Sequence, residues 1–199
     1  MSALVPQVTS AINLPAETDD PCICKRPPSL ERRLYGINQM GELYEYGETA
    51  AKPKRVLAAD DGLIYVQLLG ASIAQRAGRD YLELTLQSPV PLLLLSLNLP
   101  CYSTPTQWHV RSLLGAMLQA SACIDLSATA GKLLAKRGTG GKSGRTANFM
   151  ELFLDAGDHY DPEIRWRRID AKAIEGDRDS LEIAVNHLRR ALGHEPQFL

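Results

Sequence analysis

Apolar positions along the chain change their spacing several times, and each change marks an element. Residues 1–30 hold no sustained period and carry Pro6, Pro15, Pro21, Pro27 and Pro28. Proline removes backbone donors and biases its predecessor away from helix, so this stretch reads as an extended tail. From Arg32 the spacing becomes two. Arg33 to Ile37 and Glu42 to Tyr46 flank Asn38-Gln39-Met40-Gly41, which predicts a β-hairpin. Lys54 to Ala58 and Leu63 to Leu69 flank Asp60-Asp61-Gly62, which predicts a second. Gly70 to Arg79 fits either a short helix or an irregular crossing.

Tyr81 to Gln87 alternates, with Leu82, Leu84 and Leu86 on one face and polar residues on the other, as in a half-buried strand. Leu92 to Leu97 is apolar on both faces, as in a central strand covered twice. Thr104-Pro105 is a helix start, and Val110, Leu113, Leu114, Met117 and Leu118 recur at helical spacing up to about Ala120. Beyond it, Cys123 to Ser127, Asn148 to Asp155 and Ile164 to Ile169 read as strands. The sequence from Asp179 reads as a second helix, opened by an Asp179…Glu182 capping box and stopped by Gly193.

The expected class is therefore α+β: antiparallel sheets of about eight strands and two main amphipathic helices, in one domain over residues 31–199 behind the tail 1–30. The order strands, helix, strands, helix, read as two four-stranded units each closed by a helix, is similar to that of the whirly type of single-strand-binding fold. The likeness is one of element order alone and implies no site residue.

At 199 residues with 45% hydrophobic content, the chain can fill a core. No positively charged, continuously apolar leader opens it, and its longest apolar run, Val90 to Leu99, is broken by Pro91, Ser96 and Asn98. A membrane-spanning helix needs roughly 20 apolar residues, so the expectation is a soluble, cytoplasmic protein with no membrane partner. Cys22 and Cys24 form one tight pair while Cys101 and Cys123 stand alone, which favours reduced thiols over a zinc site.

Charge changes the picture more than composition. The formal net charge is −1, yet no Asp or Glu lies between Leu126 and Met150. Lys132, Lys136, Arg137, Lys142 and Arg145 therefore stand together in the glycine-rich stretch GKLLAKRGTGGKSGR, which reads as a basic loop. Gly138 to Ser143 resembles a Walker A sequence, but Lys136 stands where its first glycine belongs and a strand, not a helix, follows.

Binding a polynucleotide backbone fits these cations better, since Lys and Arg neutralise phosphates and release counterions. On this reading single-stranded DNA or RNA is the partner. Lys132, Lys136, Arg137, Lys142, Arg145, Arg165 and Arg167 meet phosphates, while Tyr44, Tyr46 and Trp166 supply stacking. The plainer alternative is a solvated loop with ordinary core tyrosines. A rival function is a non-enzymatic interaction or assembly protein, forming homo-oligomers or docking a partner through the tail or a strand edge.

Asp155, Asp158, Asp170 and Lys172 also suggest a magnesium-dependent nuclease. Placing Asp155 and Asp170 at opposite ends of an antiparallel pair would hold them roughly 17–20 Å apart, which argues against it. His109, His187 and His194 have no accompanying nucleophile and acid, so no catalytic residue and no cofactor are assigned.

Overall fold

The computed structural model describes residues 32–37, 40–46, 55–56, 62–76, 78–89, 94–100, 108–140, 145–155, 157 and 166–198. Their elements are β1 (Arg32–Ile37), β2 (Leu43–Tyr46), β3 (Arg55–Val56), β4 (Leu63–Tyr65), β5 (Gln67–Arg76), β6 (Arg79–Gln87), β7 (Leu94–Pro100), α1 (Trp108–Ser121), β8 (Gly131–Gly140), β9 (Arg145–Asp155), β10 (Trp166–Arg168) and α2 (Arg178–Ala191). One sheet has six strands in the order β3-β2-β1-β7-β6-β5, and the other has four, β10-β9-β8-β4. All neighbours are antiparallel except β1 and β7, which run parallel.

This is the α+β class with two helices, and the order strands, helix, strands, helix holds. The sheets do not divide at α1, however. β4 precedes the helix but pairs with β8 in the four-stranded sheet, and the chain changes sheet at Val66, whose N–H donates to the Gln87 carbonyl at 2.7 Å. The sheets are thus six and four strands rather than four and four.

The buried faces follow the alternation. Leu82, Leu84 and Leu86 of β6 meet Leu68, Ala71 and Ile73 of β5 on one sheet, and Leu133 and Ala135 of β8 meet Met150, Leu152 and Leu154 of β9 on the other. Val110, Leu113, Leu114 and Met117 of α1 and Leu181, Ala184, Val185 and Leu188 of α2 join them in a single continuous cluster. α1 packs on β9 and on α2, and α2 packs on β5. The chain after β10 crosses α1 so closely that a Cβ at Gly115 would strike the Lys172 carbonyl. Arg111 pins this crossing, its Nε donating to the Ile174 carbonyl at 2.7 Å.

Several expectations change. β1 and β2 form the first hairpin, with Gly41 at φ 81° beside its turn. The second does not form: β3 pairs with β2, while β4 and β5 pair with β8 and β6. Gly70 to Arg76 continues β5, because Ala71 and Ile73 sit opposite Leu84 and Leu82 on the apolar face. Cys123 to Ser127 is not a strand. Asp125 gathers the chain locally instead, its carboxylate accepting from Ser127 N at 2.9 Å and Ser127 Oγ at 2.7 Å, and its carbonyl from Thr129 Oγ1 at 2.7 Å. The cap of α2 is Asp177, which accepts from Ser180 N, two residues before the expected Asp179. Gly193 does end that helix at φ 75°, with Gly193 N to Arg190 O and His194 N to Arg189 O closing a Schellman turn. β7 is central in its sheet as expected. The tail 1–30, the Thr104-Pro105 start and the Cys22–Cys24 pair lie outside the described residues.

The edge of the six-stranded sheet at β5 is covered. Gln197 reaches it with its side-chain amide, accepting from Ile73 N at 3.0 Å and donating to Ile73 O at 2.8 Å, as a neighbouring strand would. Arg189 Nη1 donates to Ala71 O at 2.8 Å, and His194 Nε2 lies 2.8 Å from Leu69 O. Edge groups satisfied in this way are closed to another chain. No described helix is long and apolar enough to cross a membrane.

Candidate nucleic-acid interface

The stretch expected as a basic loop is mostly strand. Leu133 and Ala135 face the core, so Lys132, Leu134 and Lys136 must point the other way, and β8 stays paired with β9 as far as Gly140 opposite Arg145. On β9 the buried apolar set is Met150, Leu152 and Leu154, which puts Phe149, Glu151 and Phe153 on the other face. Register then assembles the outer face: Lys132 opposite Phe153, Leu134 opposite Glu151, and Lys136 opposite Phe149. β10 adds Arg168 opposite Phe153 and Trp166 opposite Asp155, and β4 adds Ile64 opposite Lys132. Ile64, Lys132, Phe153 and Arg168 thus form one row across four strands, with neighbouring Cβ atoms roughly 4.5–5.5 Å apart.

Glu151 organises the charges on this face. Its side chain is only 7% exposed, and it meets Lys136 Nζ at 2.9 Å and Arg168 Nη2 at 3.1 Å, while those two side chains are 50% and 55% exposed. One carboxylate therefore fixes two solvent-facing cations and keeps β8 and β10 in charge contact across β9. Phe149 lies over Gly138, where a Cβ would sit 2.7 Å from its ring. The glycine lets the aromatic ring lie down along the sheet.

Of the sequence-expected site residues, Lys132, Lys136 and Trp166 come together here. Arg167 is exposed but belongs to the opposite face of β10, where it pairs with Leu154. Arg137 also turns away, towards the β1–β2 turn, with Nη1 3.9 Å from Met40 Sδ. Arg145 begins β9, while Lys142 and Arg165 lie outside the described residues. Tyr44 and Tyr46 belong to β2 in the other sheet. Their hydroxyls bond to each other, their rings meet edge to face at 4.5 Å, and Tyr44 is 7% exposed. They cover Gly36, and Tyr44 is buried while Tyr46 is half-buried, so the structure places them apart from the cations of β8 and β10.

Phe149, Phe153 and Arg168 are the members that sequence reasoning missed. For Phe149 and Phe153 the signal was the period of two inside NFMELFLD, hidden because both faces of that strand are rich in apolar residues, and for Arg168 it was the alternation with Trp166 in Ile164 to Ile169.

Behind β10 lies an open groove of about 870 Å³, walled by the last turn of α1 and the turns that follow it and floored by Ala120 and Leu154. Asp155 and Asp170 both border it. Asp155 stands opposite Trp166, the first residue of β10, and Asp170 follows its last residue, Arg168, so the two carboxylates lie at opposite ends of the pairing. Among the described residues no three His, Cys, Asp or Glu side chains are grouped to hold a metal ion. His109 is buried in α1, and burial pushes its imidazole down to about 4. Comparison with protein-family models, with curated proteins and with solved structures finds no match for this chain.

Proposed function

We propose that the protein binds single-stranded nucleic acid across the outer face of its four-stranded sheet. The observation that carries this reading is the interleaving of Lys132, Lys136 and Arg168 with Phe149, Phe153 and Trp166 on one side of β8, β9 and β10. The cations meet phosphates and release counterions, and the rings supply π-faces for unstacked bases, which every base can use. A duplex keeps its bases stacked inside and can reach only the cations.

The reading that a free strand edge docks a protein partner has less support at β5, where Gln197, Arg189 and His194 already occupy the edge. Fluorescence anisotropy with a labelled 20-nucleotide single strand and its duplex tests the proposal. The single strand binds more tightly than the duplex, and both lose affinity as salt rises. Absence of binding to the single strand at 50 mM salt refutes it.

A further inference from the structure

The groove runs along β10 and is bordered by Trp166, Arg167 and Arg168 together with Leu154 and Asp155 of β9, although register directs the Arg168 and Trp166 side chains to the outer face. Arg167, opposite Leu154, stands on the groove side, while Arg168 borders the groove from the outer face, where it pairs with Glu151. The groove floor is apolar, made by Ala120 of α1 and Leu154 of β9, both almost fully buried. Ile124 stands exposed on the wall, held where the chain turns after α1 by its N–H to the Ala120 carbonyl at 2.9 Å. The rim adds Gln119 and Asp170. A volume of about 870 Å³ lies within the range of roughly 300–1,000 Å³ typical of small-ligand sites.

We infer that this groove seats one unstacked, amino-bearing base, cytosine, adenine or guanine, of the strand that crosses the outer face. The inference rests on the nucleic-acid reading of that face. An apolar floor suits a planar ring, and a cation on each side of a three-residue edge strand suits a backbone that turns around it. Carboxylate oxygens only accept hydrogen bonds, so Asp170 at the rim, beside Asp155 whose Oδ1 also accepts from Gly157 N at 3.0 Å, suits a base edge with exocyclic N–H donors. Only an unpaired strand can make this turn and release a base.

Cys123 borders the groove with an exposed thiol and reports its occupancy. The full chain is treated with N-ethylmaleimide alone, with oligo-dC20 and with oligo-dT20, each at saturation by anisotropy, and alkylation of Cys123 is followed by peptide mass spectrometry. Oligo-dC20 protects Cys123 and binds roughly tenfold more tightly than oligo-dT20, a preference that Asp170→Asn abolishes. Ile124→Glu, at an exposed position, removes protection and leaves salt-dependent binding to the outer face in place. Bound oligo-dC20 with Cys123 still fully reactive overturns the groove assignment, and equal protection by oligo-dT20 overturns the base preference. No binding of either oligonucleotide overturns the outer-face reading and the groove with it.

Discussion

Glu151 and Lys136 form a 2.9 Å ion pair in which the carboxylate is buried and the ammonium half exposed. The acid sits in the sheet, the cation faces solvent, and Arg168 at 3.1 Å completes the bridge from the other side. Burying a carboxylate is costly unless cations and hydrogen bonds compensate, and two cations do so here. The same contact subtracts one positive charge from the face proposed to bind phosphate.

Glu151→Gln separates these effects. The variant keeps the side-chain volume and loses the charge-assisted contacts, so it is less stable by about 1–2 kcal/mol in urea unfolding. It also frees Lys136 and Arg168, so oligonucleotide affinity at low salt rises and its salt dependence steepens. A variant that is less stable and binds no better would mean these cations do not meet phosphate.

Phe153→Ala tests stacking apart from charge. Phe153 lies between Lys132 and Arg168 in the cross-strand row, and a base stacked on it is worth about 1–3 kcal/mol. Affinity for a single strand falls by that amount with the salt slope unchanged, whereas affinity for duplex changes little. Anisotropy titrations at three salt concentrations read both quantities.

Much of the fold was legible in the sequence. The alternation of Leu82, Leu84 and Leu86, the Val110 to Met117 stripe and Gly193 each announced an element through a local rule, and each element formed. The site was legible in charge but not in placement. Lys132 and Lys136 read as a loop because glycines surround them, and it is long-range pairing with β9 that makes them a strand. The failed second hairpin has a related cause: Gly62 has φ 55°, but β4 pairs with β8 far along the chain and β5 pairs with the strand that follows it, β6. Tyr44 and Tyr46 share a face as their spacing implied, but sheet membership is a property of the whole structure, and β2 belongs to the other sheet.

Gly131→Ala addresses the seam between β4 and β8. The Tyr65 ring lies over Gly131, its register partner, so closely that an added methyl group would collide with it. Both residues are buried, and neither strand can move away without losing its pairing, so the variant is destabilised by about 1–3 kcal/mol. The Tyr65 hydroxyl is buried with no hydrogen-bond partner among the described residues, and burial raises its pKa. Tyr65→Phe is therefore neutral or stabilising. Thermal melts of the two variants check both directions.

His109 gives stability a pH dependence. Burial lowers its pKa from 6.5 to about 4, and neither ring nitrogen has a partner among the described residues. Above about pH 6.5 both folded and unfolded states carry it neutral. Between about 6.5 and 4 only the unfolded state takes up the proton, so stability is lost as pH falls through this window, by about 2 kcal/mol on reaching pH 5. His109→Leu flattens that stretch of the profile, as urea unfolding at pH 7.5 and 5 reads directly.

The most direct measurement of the central claim is the salt slope of single-strand binding in the wild type and in a Lys132→Gln/Lys136→Gln variant. Arg168 remains to compensate Glu151, so the variant keeps its fold, which circular dichroism verifies. Each phosphate neutralised on a single strand contributes a slope of about −0.7 in log K against log salt. The variant binds more weakly at low salt, and its slope is shallower by about 1.4. An unchanged slope in a folded variant would contradict the claim that this face of the sheet holds the nucleic-acid backbone.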